Sequence, residues 1–149
     1  MMLGEDSRPV EFRTYMPLRY RAVLGVAGIA AVLILLASGP SPWLAVPVAA
    51  VFVAVTTMTA RIRLGEVSMS IRVAGLFSTT IHYREISAVS VGPATRFAQG
   101  MGLRILSGGG TGYLVGGPSV RIQRDSNTVL VSCANPQALV ARIGAHLPR

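Results

Sequence analysis

AVLGVAGIAAVLILLASGPSPWLAVPVAAVFVAVTTMTA, residues 22–60, runs for thirty-nine positions without an Asp, Glu, Lys, Arg or His. How this stretch is read decides the fold. GPSP at 39–42 divides it into apolar segments of seventeen residues (22–38) and eighteen residues (43–60). At about 1.5 Å per residue, each helix comes close to crossing the roughly 30 Å hydrocarbon core of a bilayer. Gly39-Pro40 stops the first helix, and Ser41-Pro42 supplies an N-cap and first-turn pair for the second. So short a connection returns the chain antiparallel, as a two-helix transmembrane hairpin. Pro47 falls inside the second helix and is expected to bend it slightly. Small residues four apart, at Ala27/Ala31, Ala45/Ala49 and Ala50/Ala54, allow close approach of the helices. The competing reading is a buried hairpin in a soluble core, but residues 64–149 are too few to cover two helices apolar on every face.

Charge outside the stretch orients it. Arg8, Arg13, Arg19 and Arg21 precede the first helix, Arg61 and Arg63 follow the second, and the loop between carries no charge. The positive-inside rule then places both termini in the cytoplasm and GPSP outside, in a bacterial cytoplasmic (inner) membrane crossed twice. Arg19, Arg21, Arg61 and Arg63 are the expected inner-interface residues, and Trp43 is the outer one. A cleaved signal peptide is set aside: LLASG resembles a processing site, but Pro40 would follow the cut and a second span would still anchor the product. The expected organisation is a cytoplasmic segment 1–21, a hairpin 22–60 and a cytoplasmic domain 64–149.

Beyond Arg63 the apolar period changes to two. Val67, Met69, Ile71 and Val73 alternate with polar neighbours, Ala74-Gly75 turns the chain, and Phe77, Thr79, Ile81 and Tyr83 form the facing strand. Further strands are expected at 86–91 (closed by Gly92-Pro93), 103–106, 113–115, 120–124 and 128–132, with a loop at 96–102 and a turn at 125–127. Asn135 then caps a helix begun by Pro136, with Leu139, Val140, Ile143 and Leu147 on one face. Seven antiparallel strands and one helix suggest a small barrel or bent sandwich with the helix plugging one opening. Ile71, Ile81, Val120, Val131, Leu139 and Ile143 are its expected shared core.

VAGLFSTTIHYREISAVSVG (73–92) resembles the opening hairpin of bacterial pleckstrin-homology-like domains, with a Gly-Leu-Phe turn followed by the spaced Ile81, Ile86 and Val89. The later V-R-I strand, V-L-V-S strand and N-P-x-x-L-V helix start are similar to small membrane-tethered actinobacterial members, in which a two-helix hairpin precedes the domain. The resemblance implies a PH-like seven-strand barrel or sandwich capped by a C-terminal helix, and no particular activity. Phosphoinositide-binding PH domains carry basic residues at the first hairpin. Here that turn is Ala74-Gly75-Leu76, so a phosphoinositide is not an expected ligand.

RILSGGGTGYLVGGPSVRI (104–122) holds six glycines in nineteen positions. A P-loop needs lysine, and the chain has fourteen arginines and no lysine. No three of these glycines fall at dinucleotide-fingerprint offsets, and an ion filter would need a pore helix around it. The segment reads as a hairpin, whose tip Ser107, Gly108, Gly109, Gly110, Thr111 and Gly112 is a candidate partner loop.

No catalytic constellation emerges. The serines lie outside G-x-S-x-G, and Glu66, Glu85 and Asp125 are separated by turns. His82 and His146 have no ligand at metal-site spacing, and the lone Cys133 excludes an intrachain disulfide and a multi-cysteine metal site. Neither enzyme activity, metal nor cofactor is expected. The net charge of +8 is dispersed without interleaved aromatics, so nucleic acid is not an expected partner. After Arg63, eight arginines against three acids favour a domain held at an anionic leaflet. The expected role is that of a membrane protein whose cytoplasmic domain binds a protein partner, its own copy or the membrane surface. The alternative is an accessory subunit of a transporter or cell-envelope synthesis complex that docks through its helix hairpin.

Overall fold

In a computed structural model the chain is described over residues 9–39, 42–96 and 102–147. The elements follow as β1 (Val10–Tyr15), α1 (Leu18–Ala37), a 3-10 turn (Pro42–Leu44), α2 (Ala45–Thr56), β2 (Thr59–Leu64), β3 (Ser68–Val73) and β4 (Phe77–His82). A second 3-10 turn (Tyr83–Glu85) leads to β5 (Ile86–Thr95), β6 (Gly102–Ile105), β7 (Thr111–Leu114), β8 (Gly117–Arg124), β9 (Thr128–Ser132) and α3 (Pro136–His146). An apolar helix near the N-terminus thus accompanies a mainly-β region of two sheets and a C-terminal helix. The N-cap expected at Ser41 and most of the loop expected at 96–102 lie outside the described residues.

By length and composition, α1 is long and apolar enough to cross a membrane, and only 6% of its apolar window is buried within the protein. It begins at Leu18, earlier than expected, so Arg19 and Arg21 stand in its first turn instead of ahead of it. The expected second helix, 43–60, is replaced by a 3-10 turn, the 12-residue α2 and the start of a strand. Thr56 and Thr57 mark the break: their hydroxyls donate to the Phe52 and Val53 carbonyls at 2.9 and 2.8 Å, closing the last turn. Pro47 lies in the first turn of α2, where a missing N–H forfeits no intrahelical bond. The helices pack closely at Gly28, where a Cβ would lie 2.7 Å from the Phe52 ring.

The first sheet has the order β1-β2-β3-β4, all antiparallel; the second has the order β5-β8-β9-β7-β6. Of the expected seven-strand barrel or bent sandwich, the closed barrel does not form: nine described strands make two open sheets with the C-terminal helix. The ladder does not continue from β4 to β5 because Tyr83–Glu85 coils between them, with the Tyr83 hydroxyl donating to the Gly65 carbonyl at 3.0 Å. Two strands come from outside 64–149. In β2, Ala60, Ile62 and Leu64 turn inward, and β1 pairs along its length with β2 from Val10↔Leu64 to Tyr15↔Thr59. The strands are not all antiparallel either, because β7 runs parallel to β9. The β6–β7 hairpin forms as expected, and β9 stands between β7 and β8.

Strand β5 continues through Gly92-Pro93 to Thr95 instead of stopping there, with a register shift between Gly92 and Thr95. A bulge accommodates a proline that cannot donate to the ladder. Side chains repair the gap: Ser119 Oγ donates to the Pro93 carbonyl at 2.7 Å and Thr95 Oγ1 to that of Gly117 at 3.0 Å.

The core lies between the sheets and under α3. Ile71, Ile81, Val120, Val131, Leu139 and Ile143 are each fully buried, as the periodicities predict. The α3 start also forms as expected, Asn135 Oδ1 accepting from the Ala138 N–H at 3.1 Å behind Pro136.

Candidate functional site

The outward face of the second sheet carries a groove of about 710 Å³. In β8, Val120 and Ile122 point into the core, which turns Ser119, Arg121 and Gln123 to the other side; register carries Thr128, Leu130, Leu114 and Arg104 to that side too. The β6–β7 turn overhangs this face. Leu106 N–H donates to the Gly110 carbonyl at 2.7 Å, and Gly109 N–H to that of Leu106 at 3.1 Å. Gly108 and Gly109 have φ of 104° and 87°, a backbone that glycine adopts without a steric penalty. Of the expected partner loop, Ser107–Gly110 form this turn, while Thr111 and Gly112 are already in β7.

Ser107, Gly108 and Gly110 line the groove, Leu114 and Leu130 contribute apolar surface, and Arg104 and Arg121 supply the charge. Neither arginine makes an ion pair among the described residues, and no carboxylate lines the groove. A polar groove with apolar patches and two unneutralised guanidiniums suits an extended chain bearing a carboxylate. The sequence marked the glycine turn. It could not bring Arg104 and Arg121 together, because that needs the β8-β9-β7-β6 order.

The expected membrane-interface residues separate into three places. Arg19 and Arg21 open α1, Arg19 with its guanidinium 4.9 Å from the Tyr20 ring centre. Trp43 lies in the 3-10 turn between the helices and is 79% exposed. Arg61 and Arg63 project from strand β2 on the outward face of the first sheet, where Arg63 Nε donates to Glu11 Oε2 at 3.0 Å. That bond, reinforced by Arg13, holds the Glu11 carboxyl below the usual carboxylate range. A cleft of about 320 Å³ also opens between α1 and α2, lined by Gly25, Ile29, Val32, Ala49 and Phe52 among others.

Several other chemistry-bearing groups are engaged in the structure. Arg124 donates to Glu85, lowering its pKa, and His82 Nδ1 lies 3.2 Å from the same carboxylate. The His146 ring stacks on Tyr83 at 4.9 Å between centres. Ser132 Oγ accepts from the Val115 N–H at 3.0 Å. Cys133 is buried, and that burial pushes its thiol pKa up. Among the described residues, no three His, Cys, Asp or Glu side chains gather where they could hold a metal ion. No protein-family model matches the chain, and no curated protein matches it in sequence.

Proposed function

We propose that the chain is a non-enzymatic, membrane-anchored interaction module of the bacterial inner membrane. Its sheets lie on the cytoplasmic side, and its groove beside Ser107–Gly110 takes a protein partner. One observation carries the reading: β1 and β2, on either side of the helices, are hydrogen-bonded neighbours. A chain that leaves the sheet through α1 must return to the same side before Thr59. Pro42–Thr56 is the segment available for that return. Its length of about 24 Å falls short of the roughly 30 Å core by an amount that local bilayer thinning takes up. The arginines of both connections then favour cytoplasmic termini. Two sheets sharing one core under a C-terminal helix support the PH-like reading, which has to accommodate nine strands and one parallel pair. The structural engagement of the histidines and of Ser119 and Ser132 supports a role without catalysis.

Ser38 is exposed at the end of α1. Ser38→Cys is expected to react with an impermeant maleimide in intact cells, while the buried Cys133 stays silent. Labelling only after lysis overturns the topology. Partner capture in mild detergent then tests the groove: Arg104→Glu with Arg121→Glu is expected to lose the partner, and Gly25→Leu to keep it. The reverse pattern favours the accessory-subunit reading, which the apolar cleft between the helices supports.

A further inference from the structure

The outward face of the first sheet carries like charges at one level. Register pairs Arg13 with Arg61, Arg61 with Arg72, and Arg72 with Ser78, so three arginines stand side by side on adjacent strands. The next level is Glu11, Arg63, Ser70 and Thr80. Both levels share one face because strand side chains alternate, and Ala60, Ile62, Met69 and Ile71 fill the core from the other. Like charges directly opposite across strands are destabilising. Glu11 relieves Arg13 and Arg63, at 3.3 and 3.0 Å, but Arg61 and Arg72 have no acidic partner among the described residues. Next to them lies a cleft of about 140 Å³, lined by Arg61, Arg63 and Arg72 and by Ser70, Ser78 and Thr80. Guanidiniums and hydroxyls without a carboxylate form a donor set for a phosphate.

Position adds the source. β1 leads into α1, β2 follows α2, and Tyr15–Thr59 is the paired level nearest the helices. The Arg13–Arg61–Arg72 level is one two-residue step further, about 7 Å. A lipid headgroup layer is roughly as deep.

We infer that this face binds anionic phospholipid headgroups of the leaflet in which the helices are anchored, a lipid phosphate entering between Arg61 and Arg72. The inference rests on the membrane-anchored reading above. In its test, the full chain in uncharged detergent micelles is titrated with short-chain phosphatidylglycerol, phosphatidylcholine of the same chain length, or inorganic phosphate, and Tm is followed. Phosphatidylglycerol is expected to raise Tm well above the effect of the other two. Arg61→Gln with Arg72→Gln is expected to weaken that response roughly tenfold or more, as the loss of two juxtamembrane arginines implies. Without lipid, this variant is expected to melt no lower than the parent, since repulsion in the row is relieved. Arg104→Gln with Arg121→Gln is expected to keep the lipid response.

The inference is overturned if the Arg61/Arg72 variant retains the full response, if it melts lower without lipid, or if phosphatidylcholine matches phosphatidylglycerol. A full response to inorganic phosphate overturns it in favour of a free-anion site. Alkaline carbonate extraction tests the anchor separately. Protein that resists extraction yet shows no preference for phosphatidylglycerol overturns this inference alone, whereas extracted protein overturns the membrane reading beneath it.

Discussion

Two glycines show how differently the same residue is used. A Cβ on Gly110 would lie 2.5 Å from the Thr128 carbonyl oxygen, a backbone atom in the neighbouring strand that cannot swing away. Gly144, in the last turns of α3, is exposed, and a Cβ there would have no neighbour within 4 Å. Gly110→Ala is therefore expected to destabilise the protein by about 1–3 kcal/mol through overpacking. Gly144→Ala is expected to stabilise it by roughly 0.5–1 kcal/mol, because alanine loses less backbone freedom on entering a helix. Thermal melts of the full chain in detergent check both signs. Equal effects would mean that the close approach at Gly110 is relieved by movement of the turn. The sequence showed a glycine-rich turn at 107–112, but the clash belongs to a strand contact that no local pattern encodes.

At the scale of elements, α3 is the one whose identity and role were most legible. Asn135-Pro136 and the spacing of Leu139 and Ile143 predict its start and its buried face. Ile143→Asp would place a carboxylate at a fully buried position and is expected to cost several kcal/mol, enough to abolish a cooperative melt. Parent-like melting would show that α3 does not close the core. β2 was legible in principle and misread: TARIRL alternates cleanly, but it adjoins an apolar run, and Arg61 and Arg63 answer equally well to a positive flank. β1 hid in the same way, its VEFRTY alternation lying among residues read for charge alone. The parallel pairing of β7 with β9 left no trace in either segment, because register between distant strands is set by the sheet as a whole.

For the molecule as a whole, the two misread strands change what counts as a domain. Ala60, Ile62 and Leu64 are at most 5% exposed and share the core with residues from both sheets and α3. A piece covering only 64–149 would uncover that side of Met69, Ile71 and Val73. It is expected to be aggregated or to melt without cooperativity, while the full chain in detergent melts cooperatively; circular dichroism of both decides it. A sharp transition in the short piece would show that β1 and β2 are accessories to a core complete without them. The placement of the helices between two paired strands also dictates an order of events during synthesis. β1 leaves the ribosome first, yet its partner β2 follows only after residues 16–58 have been made. At roughly 5–20 residues per second, that leaves β1 waiting for seconds. On the two-span anchor proposed above, both helices enter the bilayer during that wait, and their insertion draws the strand ends together and shortens the search for pairing. On that anchored reading, completion of the sheet reports that insertion has succeeded, and a copy stalled outside the membrane keeps an open β2 edge, where β1 would pair, for proteases and chaperones to recognise.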